Sequence, residues 1–436
     1  MRALWVWMNG VRVGTWRVGP TGLHRFEYAP SWLHSPRARP LSLSLPLSAG
    51  ALQGPVVAHF FDNLLPDSEA IRQRIRTRRR LPGADVFSLL QAIGRDCVGA
   101  VQLLPPDAPP QGFDTLAFEP LSHADIEGML TQLGPTATPA APGTADDRDI
   151  RLSIAGAQEK TALLRVNGQW ARPLGATPTT HILKPAIGIV PGTGLDMRQS
   201  VENEWLCRQI VDAVGLPAAP CTMETFGSQR VLVVERFDRA WQPGGWIARL
   251  PQEDLCQATG VASHTKYESD GGPGLARCLG ILRASENYER DGLRFLLAQL
   301  LFWFLAAIDG HAKNFSVFLL PGGGYRLTPL YDVLSAWPVI GRKGHEIPYP
   351  NAKLAMALRA KSAHYHLATL QRRHWEQLAQ DSGIPHAWRE MQALADRLPG
   401  AMDAVLSTLP ADFPTALAER MGAGVQKHLN RFKVQG

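Results

Sequence analysis

Asp309 and Asn314 stand five positions apart in the run Asp309-Gly310-His311-Ala312-Lys313-Asn314, and a further carboxylate, Asp332, follows in Leu330-Tyr331-Asp332-Val333. That spacing suits phosphoryl transfer. The aspartate accepts the proton of the attacking hydroxyl. The asparagine, with a carboxylate from a separate element, holds Mg²⁺ against the β- and γ-phosphates of ATP. Between the two, residues 315–320 and 325–328 read as strands joined by Pro321-Gly322-Gly323-Gly324, so one hairpin carries Asn314 and Asp332 to one point. His311 is expected to orient the loop or touch phosphate rather than act as base, and Lys313 can offset γ-phosphate charge.

Further residues fit around that set. Ser153-Ile154-Ala155-Gly156-Ala157-Gln158-Glu159-Lys160 places small residues ahead of an apolar strand. The backbone N–H groups of such a loop can approach phosphate oxygens closely, although a tight structural turn fits the same residues. Lys184 ends the strand at 179–184, where its ammonium can meet the α- and β-phosphates. A helix predicted from 200 to 214 supplies a carboxylate to orient it. Glu204 is expected to face in, because Glu202 sits near the exposed helix start. The apolar strand 231–234 runs into Glu235-Arg236-Phe237, which suits a hinge whose backbone groups at 235 and 237 meet an adenine edge; a buried structural strand fits equally.

These residues need a strand-rich lobe followed by a helical one. The 436 residues, 45% hydrophobic and 19% charged, describe an ordinary globular chain with room for two or three domains. Residues up to about 33 alternate in polarity with turns at Asn9-Gly10 and 19–22, as in a β-meander, and 40–46 reads as a short alternating strand. A helix opening at Asp67 or Ser68 carries Arg72, Arg74, Arg76, Arg78, Arg79 and Arg80, a solvated basic face or an anion site. Two linker-like stretches, 105–110 and 134–147, follow. The expected division is 1–139, 140–255 and 256–436: an N-terminal β-rich part, an ATP-binding lobe, and a helical lobe with the catalytic loop. Five scattered cysteines without a CxxC pair suit a reducing compartment, and the apolar run 295–308 is too short to span a bilayer. The expected protein is soluble, with no membrane partner.

With these residues in hand, the chain resembles the HipA family, kinase toxins of bacterial type II toxin–antitoxin modules, and lies close to its enterobacterial members. The resemblance rests on 60–68, on Gly94-Arg95-Asp96-Cys97-Val98-Gly99-Ala100-Val101, on 153–160 and on Leu250-Pro251-Gln252-Glu253-Asp254. It continues through 266–274 and 309–314, all in the same order. It implies an α+β, protein-kinase-like two-lobe fold and a serine/threonine protein kinase using ATP and Mg²⁺. Asp309 would be the base, and Asn314 and Asp332 the metal ligands. Ala155, Gly156, Ala157, Gln158, Glu159 and Lys160 would form the phosphate loop, Lys184 would contact phosphates, and Glu235, Arg236 and Phe237 the hinge. His311, Ala312, Lys313 and Tyr331 would complete the nucleotide site.

The resemblance further implies that Ser153 is a site of silencing autophosphorylation. It implies glutamyl-tRNA synthetase as the target, which would arrest translation and promote dormancy. A HipB-like helix-turn-helix antitoxin would bind the chain in the cytoplasm and carry it to operator DNA at the nucleoid. The net charge of +6 would then favour phosphate contacts from Arg359, Lys361, Arg372 and Arg373, read as exposed helix surface. The stretch after Lys184 is shorter than in the enterobacterial members. A catalytically inactive kinase fold serving as a co-regulator of transcription, and a small-molecule kinase, are the alternatives. The intact Lys184, Asp309, Asn314 and Asp332 set speaks against the first, and the N-terminal part against the second.

Overall fold

The computed structural model describes residues 2–106, 108–133, 158–359 and 362–433, together with Gly156 and the backbone of Leu152 and Ser153. The fold is α+β, with strands concentrated before residue 255 and helices after it. Two compact units form, each from several segments: Met1–Pro185 with Glu224–His264 and Ser316–Tyr325, and Ala186–Met223 with Thr265–Phe315 and Arg326–Gly436.

In the first unit, the strands Arg2–Met8, Val11–Val18 and His24–Tyr28 form the expected antiparallel meander, extended by Leu52–Gln53 and Gln102–Leu104. Asn9 (φ 44°) and Gly10 (φ 78°) supply the two positive-φ positions that a two-residue hairpin turn needs. Inward residues such as Leu4, Val6, Val13 and Trp16 meet Val57, Phe61, Leu89 and Leu90 from the helices Pro55–Asp62 and Val86–Ile93. Trp16 stacks on Phe61 at 3.9 Å. Ser68 caps the helix Glu69–Arg78 by accepting the N–H of Ile71. Its arginines are less solvated than a basic face would be: Arg72 pairs with Asp62 at 2.7 Å, Arg74 with Glu159, and Arg78 donates to the Gln132 carbonyl.

The same unit contains a six-stranded sheet, ordered Cys221–Phe226, Gln229–Glu235, His181–Pro185, Thr161–Val166, Gln169–Pro173 and Phe118–Pro120. A buried ion cluster lies beside it. Asp96 accepts from Thr179 N–H (3.0 Å), Arg239 (2.9 Å) and Arg249 (2.9 Å), while Asp238 holds Arg236 at 2.8 Å and accepts the Gly99 N–H at 2.7 Å. Burial alone would raise the Asp96 pKa, but Arg239, Arg249 and Arg236 hold it well below the usual carboxylate range. Charges this deeply buried persist because each is both paired and hydrogen-bonded.

One expected strand is a turn. At 41–45 the Leu45 N–H donates to the Ser42 carbonyl, and the Ser42 and Ser44 hydroxyls both donate to the Gln257 carbonyl. The alternating serines therefore serve as local hydrogen-bond donors, not as the solvent face of a strand.

The second unit is built on the helix Tyr288–Leu305, buried nearly all round in its C-terminal half. Around it pack Leu275–Leu282, Ala387–Leu406 and Thr415–Lys433, and Ser200–Ala213 packs on Ala387–Leu406. Within this helical unit the strands Lys353–Arg359 and Ala363–His366 form a hairpin that the pattern of the sequence does not announce. Arg359 therefore ends a strand and is not on a helix, whereas Arg372 and Arg373 do open the helix Arg372–Ser382.

Candidate active site

The loop that carries Asp309 begins where the helix Tyr288–Leu305 ends in a left-handed residue, Ala306 (φ 49°). Gly310 follows because a Cβ there would lie 2.4 Å from the Phe302 ring. The loop then closes on itself. The His311 N–H and the Asn314 side-chain amide both donate to the Asp309 carbonyl, each at 2.8 Å, and the Asn314 N–H donates to the His311 carbonyl. His311, Ala312, Lys313 and Asn314 are buried, while the Asp309 side chain is 58% exposed. A rigid loop thus offers one accessible carboxylate. Its Oδ1 accepts the Tyr267 hydroxyl and lies 3.7 Å from His311 Nε2.

Asp332 reaches this region on a short bridge. The Leu330 carbonyl accepts the Ala219 N–H, its N–H donates to the Pro217 carbonyl, and Tyr331 donates its hydroxyl to the Lys313 carbonyl at 2.8 Å. The neighbours of Asn314 and Asp332 are therefore hydrogen-bonded to each other. Asp332 itself has φ 61°, a left-handed backbone that a non-glycine residue adopts at a cost of order 1–3 kcal/mol and that clusters at functional sites. The donor chemistry suits Mg²⁺. Asn314 spends its NH₂ on Asp309, which leaves its amide oxygen as the ligating end, and Asp332 adds a carboxylate. A small set of hard oxygen donors, the remainder being water and phosphate, is how Mg²⁺ is commonly bound. No group of three or more His, Cys, Asp or Glu side chains among the described residues forms a metal cluster, and a pair containing asparagine would not form one.

Lys184 and the residues expected to form the phosphate loop and hinge belong to the first unit. Lys184 is buried on the strand His181–Pro185, in register with Leu232 of the neighbouring strand. Gln158 donates to the Pro185 carbonyl at 2.8 Å. Gly156 has φ 113°, and its carbonyl accepts the Asp67 N–H. A Cβ on Gly156 would lie 2.5 Å from Lys160 Nζ, so the ammonium sits directly against the glycine. Glu159 is ion-paired with Arg74. The backbone of Ser153 pairs in parallel with Cys97. Ala155 and Ala157, and Lys361 of the second unit, lie outside the described residues.

At the segment expected to form a hinge, Glu235 ends a ladder paired to His181, and the Phe237 ring meets Phe318 edge-on at 5.8 Å. The Arg236 N–H donates to the Thr180 carbonyl, and its guanidinium is inside the ion cluster with Asp238 and Thr179. The Arg236 side chain is therefore turned into the ion cluster. Two more placements differ from expectation. Glu202 is buried along with Glu204, because the first turn of its helix is itself covered: the Ser200 hydroxyl accepts the Ile187 N–H and Asn203 bonds Ser335 in both directions. Arg359 is ion-paired with Glu268 at 2.5 Å, and the Arg372 guanidinium lies over Trp388 at 5.0 Å, whereas Arg373 is exposed.

Compared with known families, residues 152–406 match the HipA-like C-terminal domain and residues 4–104 the HipA N-terminal domain. The chain belongs to the HipA family. HipA relatives match over most of its length. The Sinorhizobium fredii protein Y4mE, provisionally named a kinase, is 35% identical over 93% of this chain and 92% of its own. The serine/threonine-protein kinase toxin HipA of Shewanella oneidensis is 29% identical over 71% of this chain and 69% of its own. A solved complex of Shewanella oneidensis HipA and HipB with operator DNA shares the fold, with a TM-score of 0.79 at 23% identity, covering 98% of this chain and 97% of that one. The chain is therefore a HipA-family kinase. Among the described residues no helix is long and apolar enough to cross a membrane.

Proposed function

We propose that this HipA-family kinase transfers the γ-phosphoryl group of ATP to serine or threonine hydroxyls of a protein, with Asp309 as base. The observation that carries the reading is the closed 309–314 loop, in which a half-exposed carboxylate stands on a buried, internally hydrogen-bonded frame. Asp309 would orient the acceptor hydroxyl and take its proton. Mg²⁺ held by Asn314 and Asp332 would supply charge neutralisation at the phosphates. Lys184 and the backbone from Ala155 to Lys160 would hold the phosphates, with Glu235 and Phe237 at the adenine edge.

Ser153 fits self-silencing. Phosphorylation would add about −2 charges beside the phosphate loop, opposing both ATP and the packing of this segment. That segment is held by the pairing of Ser153 with Cys97 and of Gly156 with Pro66, which phosphorylation would loosen. Glutamyl-tRNA synthetase is the target we propose, on the family resemblance. The solved HipA complex with HipB and operator DNA motivates a HipB-like antitoxin, and DNA phosphates within reach of Arg359, Lys361, Arg372 and Arg373, in the cytoplasm and at the nucleoid.

The test is incubation of the full chain with Mg-ATP and glutamyl-tRNA synthetase, followed by phosphosite mapping. Phosphate on the synthetase and on Ser153 is expected. Phosphate on Ser153 alone would refute the synthetase as target, and phosphate nowhere would favour an inactive regulator.

A further inference from the structure

The stretch Lys266-Tyr267-Glu268-Ser269-Asp270-Gly271-Gly272-Pro273-Gly274 has no part in the reaction as described so far. Its hydrogen bonds lead to the base. The Tyr267 hydroxyl donates to Asp309 Oδ1, and its ring meets His311 edge-on at 5.0 Å. His311 Nε2 lies 3.7 Å from the same oxygen. Both groups address Oδ1, and among the described residues no hydrogen bond reaches Oδ2. A carboxylate held by one oxygen is fixed in rotation and presents the other.

Tyr267 is itself held firmly. Its carbonyl accepts the N–H groups of Asp270 (3.1 Å) and Gly272 (2.9 Å). Next to it Glu268, with a side chain only 7% exposed, accepts the Ala357 N–H at 2.7 Å and pairs with Arg359. The glycines make this possible. Gly271 has φ 91°, a Cβ on Gly272 would lie 2.2 Å from the Thr265 carbonyl oxygen, and one on Gly274 would lie 2.2 Å from the Glu268 carboxyl carbon. The whole segment is a bracket that delivers one phenol to one carboxylate oxygen.

We infer that Tyr267 is a positioning residue for the base, tying Oδ1 of Asp309 so that Oδ2 alone faces the acceptor hydroxyl. The inference rests on the kinase reading proposed above. In the step it serves, the acceptor oxygen bonds to the γ-phosphorus, its proton passes to Oδ2, and the bond to the ADP oxygen breaks. A protein hydroxyl arrives in a fixed direction and needs the carboxylate aimed. Water does not, because it can reorient.

Tyr267→Phe in the full chain removes the hydroxyl and keeps the ring against His311. With radiolabelled Mg-ATP, self-phosphorylation and ADP release are followed together. At saturating Mg-ATP the variant is expected to transfer phosphate to protein on the order of tenfold more slowly. KM for Mg-ATP and the thermal midpoint stay unchanged, and more ADP forms per phosphate transferred. An unchanged rate and ratio would overturn the inference. So would a rate that falls together with a raised KM and a lowered thermal midpoint, which marks a structural role. Absence of transfer by the parent chain would overturn the kinase reading and this inference with it. Loss in Asp309→Asn but not in Tyr267→Phe confines the failure to Tyr267.

Discussion

Asp309 stands out from the residues that follow it: its side chain is exposed, whereas His311 and Asn314, which hold its carbonyl, are buried. The spacing to Asn314 was legible, since such a loop is local and its spacing survives in one dimension; the contrast in burial was not. Tyr267 was not, because it reaches Asp309 across 42 positions and no periodicity links the two. Glu202 was misread for a related reason: helix geometry tells which residues share a face, but not that the first turn is itself buried. Lys184 was read from its place at the end of an apolar strand, and that is where it lies. If it contacts nucleotide phosphates, Lys184→Ala should weaken Mg-ATP binding about 10- to 150-fold, the loss of one charge-assisted contact of about 1.5–3 kcal/mol. Calorimetry on the purified chain measures this. An unchanged affinity would make Lys184 a buried strand residue only.

Among the elements, the meander, the hairpin at 315–328 and the helix at 200–213 follow from alternation, turn residues and apolar periodicity; the apolar run 295–308 overlaps the helix Tyr288–Leu305, which starts and ends earlier. The failures have identifiable causes. Residues 41–45 alternate like a strand, yet their serines bond the Gln257 carbonyl and the backbone turns. Lys353–Arg359 reads as Lys-Leu-Ala-Met-Ala-Leu-Arg, rich in helix formers, and its five middle residues are all buried. A strand covered on both faces loses the period-two signal, and packing overrides propensity.

The strand Gln252–Asp254 holds a further consequence. Glu253 is wholly buried; its Oε1 accepts the Leu43 N–H at 2.8 Å and its Oε2 has no partner among the described residues. Burial pushes its pKa up to about 8, above the ordinary value of 4.5. Below about pH 4.5 the group is protonated folded or unfolded and has no effect on stability. Between there and about pH 8 the unfolded chain ionises first, so Glu253 costs progressively more stability, on the order of a few kcal/mol at the upper end. Glu253→Gln cannot ionise. Its thermal midpoint should exceed the parent's clearly at pH 8 and barely at pH 5; equal gains at both would contradict a neutral buried Glu253.

At the scale of the molecule, the α+β class and the order of strand-rich and helical parts were legible, since each follows from local pattern summed along the chain. The composition of the two compact units was not. Each gathers three segments, and the chain passes from one to the other at 315–316 and again at 325–326, on either side of the hairpin that separates Asn314 from Asp332. Such crossings leave no mark in composition, because they are made by strands and turns with ordinary sequences. The HipA assignment marks a kinase, and the closed loop around Asp309 with the oxygen donors at Asn314 and Asp332 supports the proposed phosphoryl transfer from ATP to protein.

The most direct measurement is the rate at which the full chain incorporates phosphate from Mg-ATP, compared with Asp309→Asn at matched thermal stability. With Asp309 as base, the parent incorporates phosphate and the variant does so about 10²–10⁴-fold more slowly, as befits loss of a general base. Incorporation at an equal rate in Asp309→Asn, or none by the parent, would contradict it.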